Sequence, residues 1–236
     1  MDVVLVARRR DRLEALAKEL SEQHGIATHV VSADLADPGA PAALQSELAS
    51  AGVHVDVLVN NAGYGLKKGF VEASWQEHAD FVQVMGTSVA ETCHRFAPAM
   101  VERGWGRIIN VSSLAAFAPQ VPGNLYGAVK SFVVALSEAL DLELAPHGVN
   151  VSALCPGYTL SEFHDVIDVR DQIDAMPGFM VMDAETVVRE GWEAVERGRS
   201  VWINGWVNRA IAAVLRLMPA SLLRFVARRS VLRPKR

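Results

Sequence analysis

Short apolar runs alternate with longer stretches of helical periodicity along most of the chain, and that alternation restricts the fold more than any other feature. Residues 3–7, Val-Val-Leu-Val-Ala, read as a strand of the kind that a parallel sheet buries on both faces, and Leu13, Leu16, Ala17 and Leu20 follow at helical spacing. The unit then repeats. Strands are expected at 28–33, 55–59, 107–111, 149–154 and 200–203, and helices at 41–51, 75–103, 126–145 and 184–197. Strands alternating with helices of this length specify an α/β fold, a doubly wound parallel sheet with right-handed crossovers. The chain shows no internal repeat and no linker, so one domain is expected over residues 1–205, followed by a basic tail at 206–236.

Composition excludes several classes. Of 236 residues, 50% are hydrophobic and 21% charged, the balance of a globular chain rather than a disordered one. No apolar run reaches the ~18 residues of a membrane span. The start, Met1-Asp2-Val3-Val4, lacks the basic stretch, longer apolar core and cleavage site of an export signal. Cys93 and Cys155 are the only cysteines and sit in no ligand cluster, which argues against a disulfide framework or a metal site and for a reducing cytoplasm. The net charge of −4 is unevenly spread: residues 209–236 hold eight of the 23 basic residues and none of the 27 acidic ones, which leaves −12 on residues 1–208. Such a body repels nucleic acid.

In a doubly wound sheet, ligands bind beyond the carboxyl ends of the strands. Those positions carry Arg8, Arg9 and Arg10; Asp34 and Leu35; Asn60-Asn61-Ala62-Gly63; Ser112 and Ser113; and Pro156-Gly157-Tyr158-Thr159, all expected along one edge of one sheet. Tyr126 and Lys130 are four apart on an expected helix, so their side chains share a face. An ammonium beside a phenol lowers its pKa from about 10 and makes it a usable general acid or base. Ser113 can hold the same substrate oxygen. Taken alone, a Tyr and a Lys four apart are equally a solvated surface pair.

Together these motifs resemble those of the short-chain dehydrogenase/reductase family of nicotinamide-dependent oxidoreductases. Ser113 stands thirteen positions before Tyr126-x-x-x-Lys130, Asn60 to Gly63 match the family's Asn-Asn-Ala-Gly, Asp34 its acid near the adenine, and Pro156-Gly157 with Thr159 its cofactor-touching segment. The resemblance runs from residue 2 to about residue 205 and implies a mechanism. Tyr126 exchanges a proton with a carbonyl or alcohol oxygen while the cofactor carries the hydride, Lys130 binds the nicotinamide ribose and biases Tyr126, and Ser113 steadies the oxygen. Members preferring NAD tend to carry an acid where this chain has Ala7, followed by Arg8 and Arg9. An uncharged residue admits a 2′-phosphate and arginine can grip it, so NADP(H) is preferred over NAD(H). The other reading is that the arginines merely open a helix on a solvated face.

Two departures from the family stand out. The family begins with a strand and a glycine-rich turn that approaches the pyrophosphate, and this chain has no Gly-x-x-x-Gly-x-Gly. The strand in question would lie between those read at 3–7 and 55–59. Either the true polypeptide extends upstream of Met1, or the chain is a damaged product that grips the dinucleotide weakly. Secondly, the family often places an asparagine in the long helix, where it helps hold a water in the proton relay, and that position falls on Met85, whose thioether cannot replace an amide. These departures favour a second reading, a non-catalytic relative acting as a scaffold or binding protein.

The histidines, His24, His29, His54, His78, His94, His147 and His164, show no metal-ligand spacing. Phe117, Tyr158, Phe163, Phe179 and Met180 fall in loops that shape the substrate pocket in the family, as His164 can, which suggests an apolar carbonyl or alcohol; the alternative is that they pack. The tail reads as a basic amphipathic helix from 210 to 218, a break at Pro219 and further arginines. Such a helix either lies on an anionic membrane or packs against the domain or a second subunit of a homo-oligomer.

Overall fold

The computed structural model describes residues 1–66, 68–118, 125–160, 177–219, 221–223, 225 and 227. They fall into two compact units, Met1–His54 and Val55–Arg236.

In the first unit, β1 (Val3–Ala7), α1 (Arg10–His24), β2 (Thr28–Ser32) and α2 (Ala40–Ser50) follow in order. β1 and β2 pair in parallel, from Val3 opposite Thr28 to Ala7 opposite Ser32. α1 buries Leu13 and Ala17, one turn apart, and stops at Gly25, whose φ of 64° closes the left-handed cap with its N–H donating to the Ser21 carbonyl. α2 starts with a proline in its first turn and buries Leu44 and Leu48.

The second unit carries β3 (Val57–Asn60), β4 (Gly106–Val111), β5 (Val149–Cys155) and β8 (Val201–Ile203) as a fully parallel four-stranded sheet in that order. A separate short parallel pair joins β6 (Tyr158–Leu160) to β7 (Val181–Asp183), where the sequence reading expected only loop. Alternation along β5 sends successive side chains to opposite faces. Ala153 and Cys155 meet Val134 of α5 (Tyr126–Leu144), and Leu154 meets Val187 and Val195 of α6 (Ala184–Glu196). Helices thus cover both faces of the sheet, the doubly wound α/β arrangement expected. Gly191 lets α6 approach, since a Cβ there would sit 2.8 Å from a Leu154 methyl.

Three expectations are corrected. The single sheet is divided: among the described residues, β1 bonds only β2, and β3 bonds only β4. β1, expected to be buried on both faces, is half-buried to exposed along its length. The long helix at 75–103 is also interrupted. α3 (Trp75–Val82), opened by a capping box between Ser74 and Glu77, runs into a π-turn at Gln83–Thr87 before α4 (Ser88–Arg103). The π-turn accommodates one extra residue, a change of winding that a 3.6-residue apolar pattern does not reveal. Helix α7 (Trp206–Leu217) buries Asn208 and Ala212, so one face of this part of the amphipathic tail packs on its own unit.

Candidate active site

The end of β4 and the first turns of α5 are tied together by Lys130. Its ammonium donates to the Val111 carbonyl at 2.7 Å, and its own carbonyl accepts from the Ser112 hydroxyl at 2.8 Å. The next residue, Ser113, has extended backbone, and its hydroxyl oxygen accepts from the Ala115 N–H at 3.2 Å, opening the short 3-10 turn Leu114–Phe117. Tyr126, the first residue of α5, is hydrogen-bonded to Ser113, and the Lys130 ammonium lies 5.8 Å from the Tyr126 ring centroid. Ser113, Tyr126 and Lys130 therefore converge as their spacing suggested.

Their electrostatics differ from the expectation that the ammonium lowers the phenol's pKa. Burial raises the Tyr126 phenol above its ordinary value, opposed by the Ser113 hydrogen bond. Burial also lowers the Lys130 ammonium to about 8, opposed by Cys155. With Lys130 at 7% exposure and turned to Val111, loss of water outweighs the attraction between the pair. The adjacent Cys155 thiol is pushed up to about 12, mainly by burial and against hydrogen bonds from Ser112 and Ser113, so it stays neutral and unreactive.

At the end of β3, the Asn60 side chain is turned inward. Its Nδ2 donates to Asn110 Oδ1 at 2.9 Å, and its Oδ1 accepts from the Thr92 hydroxyl at 2.9 Å. Asn110, fully buried on β4, donates in turn to the Ser137 hydroxyl at 3.0 Å on α5. Asn60 thus positions the turn, and Asn61, Ala62 and Gly63 are exposed. A Cβ on Gly63 would lie 2.7 Å from the sulfur of Met85, which sits in the π-turn at 1% exposure. Where the family often has an amide, this chain has a dry thioether against the turn.

The loop after β5 joins the same edge. The Pro156 carbonyl accepts from Leu114 N–H at 2.9 Å, and Thr159 donates to the Gly157 carbonyl at 3.3 Å. Asn208 of α7 covers Gly157 so closely that a Cβ there would fall 2.5 Å from its Nδ2. Phe117 carries the Arg216 guanidinium 4.6 Å above its ring, Tyr158 is 42% exposed and Met180 is half-buried. Phe163, His164 and the side chain of Phe179 lie outside the described residues. Among the histidines, His78 is buried, with its Nε2 2.9 Å from the Phe70 carbonyl and its ring stacked on Phe70.

In the first unit, Ala7, Arg8 and Arg9 at the carboxyl end of β1 are exposed. Parallel pairing puts the end of β2 at the same side, where exposed Asp34 accepts from the Ala36 N–H at 3.0 Å and Leu35 is half-buried. Sequence reasoning missed Asn110 and Asn208, which hold Asn60 and cover Gly157. A polar residue inside the apolar run Ile108-Ile109-Asn110-Val111 was the available signal for the first; Asn208 had none.

The model of the family described as short chain dehydrogenase matches residues 1–171. Nodulation protein G of Azospirillum brasilense is 33% identical over 169 residues, 70% of this chain and 69% of that one. Serine 3-dehydrogenase of Rhizobium radiobacter is 35% identical over 164 residues, 68% of this chain and 63% of that protein, so the chain spans under two thirds of the length of some of the curated relatives it matches. Among solved structures, a short-chain dehydrogenase from Sphingobium yanoikuyae in complex with NADPH superposes with a TM-score of 0.77 at 31% identity, over 100% of this chain and 86% of that one.

Proposed function

This chain belongs to the short-chain dehydrogenase family, and from that premise we propose that it is an oxidoreductase moving a hydride between NADP(H) and an apolar carbonyl or alcohol. The observation that carries the reading is the convergence of Ser113, Tyr126 and Lys130, with Tyr126 hydrogen-bonded to Ser113 and the Lys130 ammonium 5.8 Å from its ring. The residues present fit the nicotinamide end of such a cofactor. Asn61, Ala62 and Gly63 are exposed and short beyond β3, and the Lys130 ammonium, with three donors, has one hydrogen bond among the described residues. The bound cofactor supplies the hydride.

This chain's residues do the rest. Held protonated by burial, the Tyr126 phenol suits proton donation to a carbonyl oxygen. Ser113 would hold that oxygen, and Lys130, 5.8 Å from the Tyr126 ring, would add a positive charge beside it and hold the ribose hydroxyls. By the family resemblance, Pro156, Gly157 and Thr159 would border the nicotinamide and Asn60 positions the Asn61–Gly63 turn; in the first unit, Asp34 and Leu35 would meet the adenine, and Arg8 and Arg9 would hold a 2′-phosphate in preference to the ribose hydroxyl of NAD(H). The NADPH complex of the Sphingobium yanoikuyae relative supports this choice.

Fluorescence titration with NADPH, followed by oxidation of the cofactor in the presence of apolar ketones, tests the reading. Saturable binding and turnover are expected, with Tyr126→Phe lowering kcat ~10²–10⁴-fold while leaving NADPH affinity in place. A second reading, a non-catalytic scaffold, is favoured by buried Met85 at the asparagine position; binding without turnover establishes it instead, and turnover indifferent to Tyr126→Phe removes Tyr126 from the mechanism.

The same reading makes the protein a cytoplasmic homo-oligomer. Two buried, unpaired cysteines support a reducing compartment. An apolar groove between the π-turn, α4 and α5, lined by Val82, Ala90, Val129 and Phe132, supports a face that a second copy covers. Light scattering is expected to give an oligomer that Phe132→Asp dissociates.

A further inference from the structure

α7 has two faces of different fate. Its inner face is already committed: Asn208 and Ala212 are buried, Ile211 and Leu215 are half-buried, and Asn208 donates to the Asn204 carbonyl at 2.8 Å. Its outer face carries Trp206, Ala210, Ala213, Val214 and Leu217 at three- and four-residue spacing, all exposed. Trp206 is 72%, Val214 57% and Leu217 85% exposed. A helix whose inner face is in the core ordinarily turns charge outward. Here the polar residues among the exposed positions are Arg209 and Arg216, whose guanidinium groups lie 5.3 Å from the Trp202 ring and 4.6 Å from the Phe117 ring. Beyond Pro219, Leu222 and Phe225 are exposed as well.

The charge around this face selects its partner. Residues 209–236 hold eight basic and no acidic residues, against −12 for the preceding 208. A second copy seated face to face would bring two such basic sets together with no acid in either to pair them. A negatively charged bilayer satisfies both features, since its phosphates take the arginines and its headgroup boundary takes the apolar stripe, with the indole suited to the interface. No helix among the described residues is long and apolar enough to cross a membrane. We propose that the outer face of α7 is a docking surface for an anionic lipid bilayer, on which the helix lies in the plane of the interface.

Flotation of the full chain with vesicles of phosphatidylcholine and phosphatidylglycerol in equal parts, against phosphatidylcholine alone, tests this. Binding is expected to the anionic vesicles only and to weaken with salt, with Arg209→Gln and Arg216→Gln each lowering the partition coefficient about fivefold. Leu217→Asp, on an exposed position, is expected to lower flotation while the thermal unfolding midpoint stays in place. Brominated acyl chains are expected to quench fluorescence in the unaltered chain, and Trp206→Phe to remove most of that quenching while flotation persists. The proposal is overturned if the chain fails to float, if Leu217→Asp floats undiminished, if quenching survives Trp206→Phe, or if Leu217→Asp instead splits an oligomer in light scattering.

Discussion

β1 and β5 are both apolar runs that a sequence reader assigns to the interior of a parallel sheet, yet they meet different surroundings. In β5, Val149, Val151, Ala153 and Cys155 are at most 1% exposed. In β1, no residue is buried. β5 is bonded to β4 on one side and β8 on the other and is covered by α5 and α6, whereas among the described residues β1 has one ladder partner, β2. β3 is an intermediate case, bonded among the described residues only to β4 and with Val59 54% exposed. An apolar run states a capacity for burial, and the number of neighbours decides how much of it is used. The chemistry follows the same division: Ser113, Tyr126, Lys130 and Pro156-Gly157 all hang on the closed β4–β5 ladder.

The comparison is most exposed to paired truncations. Leu154→Ala on β5 is expected to cost ~2–5 kcal/mol by leaving a cavity between β5 and α6, and Leu5→Ala on half-buried β1 ~1 kcal/mol. Urea unfolding measures both, and equal losses would break the distinction. A smaller effect is expected at the polar junction: Asn110→Ala strips the partners of Asn60 and Ser137 and should cost ~1–3 kcal/mol, whereas Ser46→Ala, an exposed side chain on α2, should be near neutral in the same assay.

The closed region also predicts a pH signature. Lys130 releases its proton at about 8 when folded against an ordinary value of 10.5, so the unfolded chain binds more protons above pH 8 and stability rises with pH there, by up to ~1.4 kcal/mol between pH 8 and 9. Cys93 and Cys155 have folded values raised to about 11 and about 12 from 9.0. The folded state therefore holds more protons above pH 9, and stability falls again. Unfolding free energies across this range should pass through a maximum near pH 9, and Lys130→Met should abolish the rising limb. In the open region, Arg9→Ala, at an exposed position, is expected to weaken NADPH about tenfold more than NADH in fluorescence titration, a difference of ~1.4 kcal/mol.

Much of the site was legible because its signals are local. The four-residue step from Tyr126 to Lys130 puts both on one helix face wherever the helix lies, and Ser113 and Asn60 to Gly63 follow runs whose strand character is visible in a few residues. The inward turn of Asn60 was not legible, because its partners Thr92 and Asn110 are 32 and 50 positions away. Nor was the π-turn that places Met85 against Gly63, since apolar residues mark a helix without marking its winding.

The alternation of the main strands and helices, the α/β class and the serine–tyrosine–lysine spacing were determined by the amino-acid sequence alone, because each depends on periodicities within one element or on simple spacing. Tertiary structure decided which apolar runs lose their water, which ionisable groups are shifted and in which direction, and that α7 keeps an apolar face outward. Those outcomes depend on desolvation, and desolvation is set by neighbours that come from distant parts of the chain.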